Sequence, residues 1–450
     1  VTDIVSLLRR SLGDAVSTDV TQLAATQTDR SGRVSAAPPL AVVAARTIQD
    51  VQATLRIAGE HGVPVVPRGA GTGLAGGAVG GAGEIVLSTL AMNAILEISL
   101  DDEVAVVQPG ILNDELNAAL EPNGLWFSPD PASKAISTIG GNIATNAGGL
   151  LCAKYGVTRE SVLGLKVVLA DGRLLTLGHR TIKGVTGYDL TALFVGSEGT
   201  LGVVVEATLK LRPLPFGPVA TIGAYFSTVE QAARASAAIT AARLQPAAME
   251  LIGQSALDGI GAHLGLDLSG RGSYLLVQFD GSAAGAAADD AVRLIRSHGG
   301  DAEISSDAED GERLFAIRRA FHPAMEARGT VLIEDVAVPR SQLPAMFQAI
   351  TDVERSFGMI IPTVAHAGDG NLHPNFIFDG AEVPQEVWDA ADAVFRACLA
   401  LGGTLTGEHG VGLLKKRWLR DELGDDQVDL QRQLKGVFDP NNILNPGKIF

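Results

Sequence analysis

Apolar positions in the first third of the chain alternate between helical and strand spacing. Ile48, Val51, Leu55 and Ala58 share one face of a helix predicted over residues 48–60, and the GVPVVP that follows is a short apolar run of buried-strand type. A helix-then-strand unit therefore delivers the chain to Pro67. Short apolar runs at 84–87, 94–98 and 104–110 predict further strands, with a helix over 112–120. The stretch SVLGLKVVLADGRLLTL reads as two β-rich runs joined by Asp171-Gly172, a hairpin signature, and residues 201–211 predict one more long strand.

The prolines of RPLPFGP, residues 212–218, break this pattern and mark a domain boundary. Beyond them come an Ala-rich helix over 229–242, strands over 247–252 and 274–279, and a second Ala-rich helix ending near Arg296. The alternation suits an α+β layer, a sheet with helices packed on it. SAAGAAAD, residues 282–289, is a short biased stretch, and the chain shows no fixed-period repeat. A length of 450 residues leaves room for about two or three domains.

With 46% hydrophobic and 19% charged residues the chain can bury a sizeable core. Its 35 Lys and Arg against 51 Asp and Glu give a net charge of −16, which leaves no broad basic face for nucleic acid. Cys152 and Cys398 stand far apart, so no disulfide framework or cysteine metal site is expected, and both read as small buried hydrophobes. VTDIVSLLRRSLGD carries charges through its apolar stretch, unlike a signal peptide, and no charge-free run is long enough for a membrane span. The expected location is cytoplasmic, with room for peripheral contact at the inner face of a membrane.

The 53 glycines make up about 12% of the chain, and three segments are especially rich in them. PRGAGTGLAGGAVGG, residues 67–81, follows a strand and has the density for a nest of backbone N–H groups around a pyrophosphate, yet no Lys-Ser/Thr pair closes it as a P-loop. PDPASKAISTIGGNIATNAGG, residues 129–149, adds Asn142, Thr145 and Asn146 among small residues, and FVGSEGTLGVV, residues 194–204, runs into a strand. Three such segments point to one extended ligand crossing several loops.

These segments in order, with KGVTGYDL before the third and HAGDGNLH, GEHGVG and NPGK after it, resemble the FAD-linked D-2-hydroxyacid dehydrogenases over nearly the whole chain. That group, with D-lactate, glycolate and D-2-hydroxyglutarate dehydrogenases, lies within the vanillyl-alcohol-oxidase (PCMH-type) flavoproteins. The resemblance implies an α+β protein: a PCMH-type FAD domain of two subdomains over 1–215, a ferredoxin-like substrate domain over 216–405, and a C-terminal segment, 406–450, returning to the flavin. Arg68, Gly69, Ala70, Gly71, Thr72, Gly73 and Gly76 resemble the pyrophosphate turn, and Pro129 and Asp130 match a loop near the isoalloxazine. Gly140, Gly141, Asn142, Thr145, Asn146 and Gly148 resemble further flavin contacts, while Glu198, Gly199 and Val204 match the segment beside the adenosine half. Members with histidyl-linked flavin carry His where this chain has Thr72, which implies noncovalent FAD.

Of eight histidines, His366, His373 and His409 sit in two glycine-rich motifs. The strand before His366 and the GDG turn, residues 368–370, can return His366 and His373 to one point, and Glu408 is the third candidate ligand for zinc, manganese or iron. The resemblance assigns the same three residues to the metal and His409 to the general base. Neighbouring side chains on an extended segment diverge, so Glu408 and His409 can serve different partners. A metal on the substrate hydroxyl lowers its pKa, a histidine near neutrality takes the proton, and flavin N5 accepts hydride. Arg318 aligns with the family's substrate-carboxylate arginine, whereas Arg319 reads as a solvated helix residue. Members selective for a distal carboxylate carry Lys where this chain has Ile333, which favours lactate, glycolate or a larger apolar 2-hydroxy acid. Asn371 and Asn375 are candidate hydrogen-bond donors, Lys448 is a candidate functional cation, and Lys415, Lys416 and Arg417 read as a solvated face.

The expectation is oxidation of a D-2-hydroxy acid to the 2-oxo acid, with electrons passed to a quinone, an electron-transferring flavoprotein or a cytochrome. An oxidase releasing hydrogen peroxide is the alternative. A flavin-free metal hydrolase and a noncatalytic subunit of an electron-transfer complex are rival classes, and a homodimer is compatible with all of them.

Overall fold

A computed structural model describes residues 3–305 and 307–450. Val1 and Thr2, in the stretch read above for a leader, and Ser306 lie outside them. The chain forms two compact units: residues up to Gly149 with Gly156–Leu214 and Glu408–Phe450, and Leu150–Tyr155 with Pro215–Gly407.

Among the described residues the first unit holds two larger sheets and a two-stranded pair of Leu125–Trp126 with Arg212–Pro213. In one of the larger sheets, the strands Ala41–Ala44, Ile85–Ser88 and Val65–Arg68 run parallel, with Val16–Ser17 antiparallel at the edge. The crossover helix Ile48–His61 starts at a capping box in which Thr47 and Asp50 exchange hydrogen bonds, and it buries Val51, Leu55 and Ala58. The other larger sheet is antiparallel, ordered Ile95–Ser99, Val104–Val107, Val203–Lys210, Val162–Val168, Leu174–Gly178. The Asp171-Gly172 hairpin closes as its sequence predicts, with Gly172 at a φ of 80°. Leu116, Phe127, Ile139, Leu165 and Phe194 form the apolar core beside this sheet.

The second unit is an antiparallel sheet ordered Asp301–Ile304, Val219–Phe226, Ser273–Asp280, Ala248–Ile252, Thr363–His366, Asn371–Phe378, Thr330–Ile333, with Val336–Ala337 also paired to Asn371–Phe378. Between its strands run helices that include Val229–Ala241, Ala284–Ser297 and Ala308–Arg319. The fold is α+β, as the periodicity predicts. Leu150–Tyr155 is held in this unit by Asp280, which pairs with Lys154 and accepts from the Tyr155 hydroxyl at 2.6 Å. Among the described residues no helix is long and apolar enough to cross a membrane.

Candidate functional site

In the first unit the strand Val65–Arg68 feeds the first glycine-rich loop. None of the nine backbone N–H groups of residues 69–77 donates a hydrogen bond among the described residues. Gly71 and Gly76 take left-handed φ values of 71° and 84°, and a Cβ on Gly71 would overlap the Arg68 guanidinium. Arg68 braces the loop by donating to the Ala78 carbonyl at 2.7 Å and the Ala25 carbonyl at 3.3 Å. The buried Lys448 donates to the Val79 carbonyl at 3.1 Å, and burial pulls its pKa down.

The helix Ile139–Thr145 carries the second segment. Thr138 caps it by accepting from the Gly141 N–H at 3.1 Å, and the Gly69 backbone packs against the same hydroxyl. Gly140 lies on Pro109, where its N–H donates to the carbonyl at 2.7 Å. Asn146 ends the helix at a φ of 51°. The buried Ser128 Oγ, Ser137 Oγ and Asn142 Nδ2 have no hydrogen-bond partner among the described residues. The Thr145 hydroxyl donates to the Gly141 carbonyl at 3.2 Å, and Pro129 accepts from the Asn113 amide at 3.0 Å. Asp130 lies against Gly149.

The third segment is docked on that helix end, with Gly196 N–H donating to Ile143 and Glu198 N–H to Ala144. Gly199 packs on Pro67, and Val204 pairs with Val167. The Glu198 carboxylate is committed elsewhere: it accepts from the N–H of Val411 at 2.7 Å and of Gly412 at 2.8 Å. Burial pushes its pKa up to about 7 although both N–H groups pull it down. The C-terminal segment thus joins the loops, since Leu413 N–H donates to the Ala75 carbonyl and Asn445 donates to the carbonyls of Gly77 and Glu198. Glu408 lies against Gly148, where a Cβ would come within 2.6 Å of its Oε2, and the His409 Nε2 is 4.0 Å from Glu408 Oε1.

In the second unit the Gly368–Gly370 turn returns the chain after His366, with Gly370 N–H donating to the His366 carbonyl at 2.9 Å. The rings of His366 and His373 meet edge to face with centroids 5.0 Å apart. Each Nδ1 faces a buried carboxylate: His366 lies 2.7 Å from Glu250 Oε1, and His373 lies 3.7 Å from Asp335 Oδ1. Asp335 also accepts from Asn371 Nδ2 and from the Thr406 hydroxyl, both at 2.7 Å. Arg318, on the last turn of Ala308–Arg319, donates from Nε to Glu250 Oε2 at 2.6 Å, and its two terminal nitrogens carry no hydrogen bond among the described residues. Burial works against the Glu250 carboxylate, but His366 and Arg318 outweigh it and hold its pKa below the ordinary value.

Residues 218–449 match the family described as FAD linked oxidases, C-terminal domain, and residues 39–178 match the FAD binding domain. The chain belongs to the FAD-linked oxidases. It is 43% identical over 421 residues to the glycolate oxidase subunit GlcD of Bacillus subtilis (strain 168), covering 92% of this chain and 89% of that one. It is 36% identical over 423 residues to the D-lactate dehydrogenase of Archaeoglobus fulgidus, covering 92% of each. Among solved structures, p-cresol methylhydroxylase with substrate bound superposes with a TM-score of 0.80 at 18% identity, covering 99% of this chain and 96% of that one, so the fold is PCMH-type.

As a member of the FAD-linked oxidases the chain is an FAD-dependent oxidoreductase, and its loops fit that cofactor. Successive uncommitted N–H groups form an anion nest, and a bound ligand can satisfy Ser128, Ser137 and Asn142. Sequence reasoning passed over Glu250 and Asp335. The available signals were a single carboxylate in the apolar strand AMELI and an acidic pair inside TVLIEDVAV. Asn371 holds the Val336 carbonyl at 2.9 Å as well as Asp335, and Asn375 holds the His373 carbonyl at 2.8 Å, so both amides brace the histidine hairpin.

Proposed function

We propose that this FAD-linked oxidase is a dehydrogenase that converts glycolate or a D-2-hydroxy acid of lactate's size to the 2-oxo acid and hands the electrons to a separate acceptor. The observation that carries the reading is Arg318, a buried guanidinium anchored by Nε with both terminal nitrogens uncommitted, beside an imidazole pair. That fork matches a carboxylate in two parallel hydrogen bonds. The names of the relatives, glycolate oxidase subunit and D-lactate dehydrogenase, support the substrate class.

Residues 68–73 and 76, 129 and 130, 140–142, 145, 146 and 148, and 198, 199 and 204 would hold FAD noncovalently, with Thr72 in the position of a histidyl link, and FAD supplies acceptance of the Cα hydride. His366, His373 and Glu408 would hold a divalent cation, zinc, manganese or iron, which supplies Lewis acidity toward the substrate hydroxyl. The carboxylate at His366 Nδ1 leaves its Nε2 as the ligating nitrogen, and Glu408 directly follows Gly407, which packs against Asn371. Arg318 holds the substrate carboxylate. His409 takes the hydroxyl proton at a ring nitrogen, a role typically worth about 10²–10⁴-fold. Ile333, opposite Asn375 in the sheet, stands where members selective for a distal carboxylate carry Lys, which favours an acid without one.

Anaerobic mixing of metal-replete protein with a panel of D- and L-2-hydroxy acids tests the reading by flavin bleaching. Glycolate or D-lactate should bleach the flavin and L-lactate should not. No bleaching by any acid would overturn it, and stoichiometric hydrogen peroxide in air would replace the dehydrogenase with an oxidase.

A further inference from the structure

We propose that Glu250 is a positioning residue of the reaction, a single carboxylate that sets both the ring tautomer of His366 and the aim of the Arg318 guanidinium. The inference rests on the reading above, in which His366 ligates a metal and Arg318 binds the substrate carboxylate.

Glu250 sits on Ala248–Ile252, a strand that is otherwise apolar and wholly buried, so packing alone gives no reason for a carboxylate there. The sheet register places it directly opposite His366 on the neighbouring strand. Its two oxygens are divided, Oε1 lying 2.7 Å from His366 Nδ1 and Oε2 accepting from Arg318 Nε at 2.6 Å. A carboxylate already paired with a guanidinium is an acceptor only, so the proton between Oε1 and the ring belongs to Nδ1. The lone pair is then on Nε2, the form in which a neutral imidazole binds a cation.

On the other side, Nε is the one guanidinium nitrogen that can be held without using the terminal fork. Anchoring it orients the plane and leaves both terminal nitrogens for a carboxylate. Removal of Glu250 would therefore free two tautomers at His366 and leave a buried arginine without its counterion.

Purified holoenzyme variants E250Q, E250D and H366Q would be compared by zinc affinity against a competing chelator, KM for glycolate or D-lactate, and FAD content. A glutamine presents one acceptor to two donors, so E250Q should bind zinc ~10–100-fold more weakly and show a raised KM, with FAD content unchanged. E250D, which keeps the charge, should recover part of both. Unchanged zinc affinity and KM in E250Q, alongside zinc loss in H366Q, would overturn the role of Glu250 and leave the metal reading standing. Full zinc affinity in H366Q would overturn the metal reading and the proposal with it. Should E250Q not fold, ring ¹⁵N shifts of wild-type metal-free protein, assigned by difference from H366Q, decide the matter: protonation at Nδ1 is expected, and protonation at Nε2 refutes it.

Discussion

Glu198 and Glu408 show how surroundings divide the work of carboxylates within one unit. Glu198 is buried and holds two consecutive N–H groups of the C-terminal segment, and burial raises its pKa from 4.5 to about 7. Because the folded value lies above the unfolded one, its contribution to stability is fully present below 4.5 and is lost as pH rises through about 7, a change of roughly 3 kcal/mol. Urea unfolding of wild type and E198Q from about pH 5 to about pH 8 should therefore show the stability difference moving toward the variant by about that amount. A pH-independent difference would refute the assignment. Glu408, by contrast, rests its carboxylate on the bare Cα of Gly148. In G148A the added methyl collides with Oε2, so turnover per bound flavin should fall by about tenfold or more, as a roughly 1 Å displacement at a site can do. Flavin loss with turnover per bound flavin unchanged would make Gly148 a cofactor contact only.

The last segment, Glu408–Phe450, works through buried polar contacts. Lys435 donates to the carbonyls of Thr200 and Leu444 at 3.0 Å and to Asp439 at 2.7 Å, tying the helix Leu419–Phe438 to the strand-entry loop. K435M leaves the fully buried Asp439 charge without its cation and should cost about 3–5 kcal/mol in urea unfolding. A change under about 1 kcal/mol would show the lysine to be dispensable. Such element-scale contacts also mark the limit of what the sequence discloses. The His366–His373 hairpin was legible, because a Gly-Asp-Gly turn between two histidines fixes their return, and glycine density exposed the loops around residues 69–77 and 140–149. Glu250 was not, because it lies 116 residues from His366 and meets it only where Ala248–Ile252 pairs with Thr363–His366. The excursion of Leu150–Tyr155 was hidden for the same reason, depending on an acid at Asp280 that no local pattern singles out.

At the scale of the molecule, the residues proposed for the chemistry are drawn from both units. The loops that fit FAD lie in the first, whereas His366, His373 and Arg318 lie in the second. The chain carries a net charge of −16, so an anionic hydroxy acid meets an unfavourable long-range field, and its binding depends on local cations. In the proposed reading Arg318 would be one of these and the metal the other. The division predicts separable losses. Dialysis against a strong chelator should strip the metal, leave the bound flavin's visible absorption intact, and reduce turnover of glycolate or D-lactate by more than about tenfold, since both a Lewis acid and a substrate cation are removed. Zinc or manganese should restore turnover without added FAD. Chelated protein that still turns over at full rate would remove the metal from the reaction, and flavin lost in step with the metal would show that flavin retention depends on it.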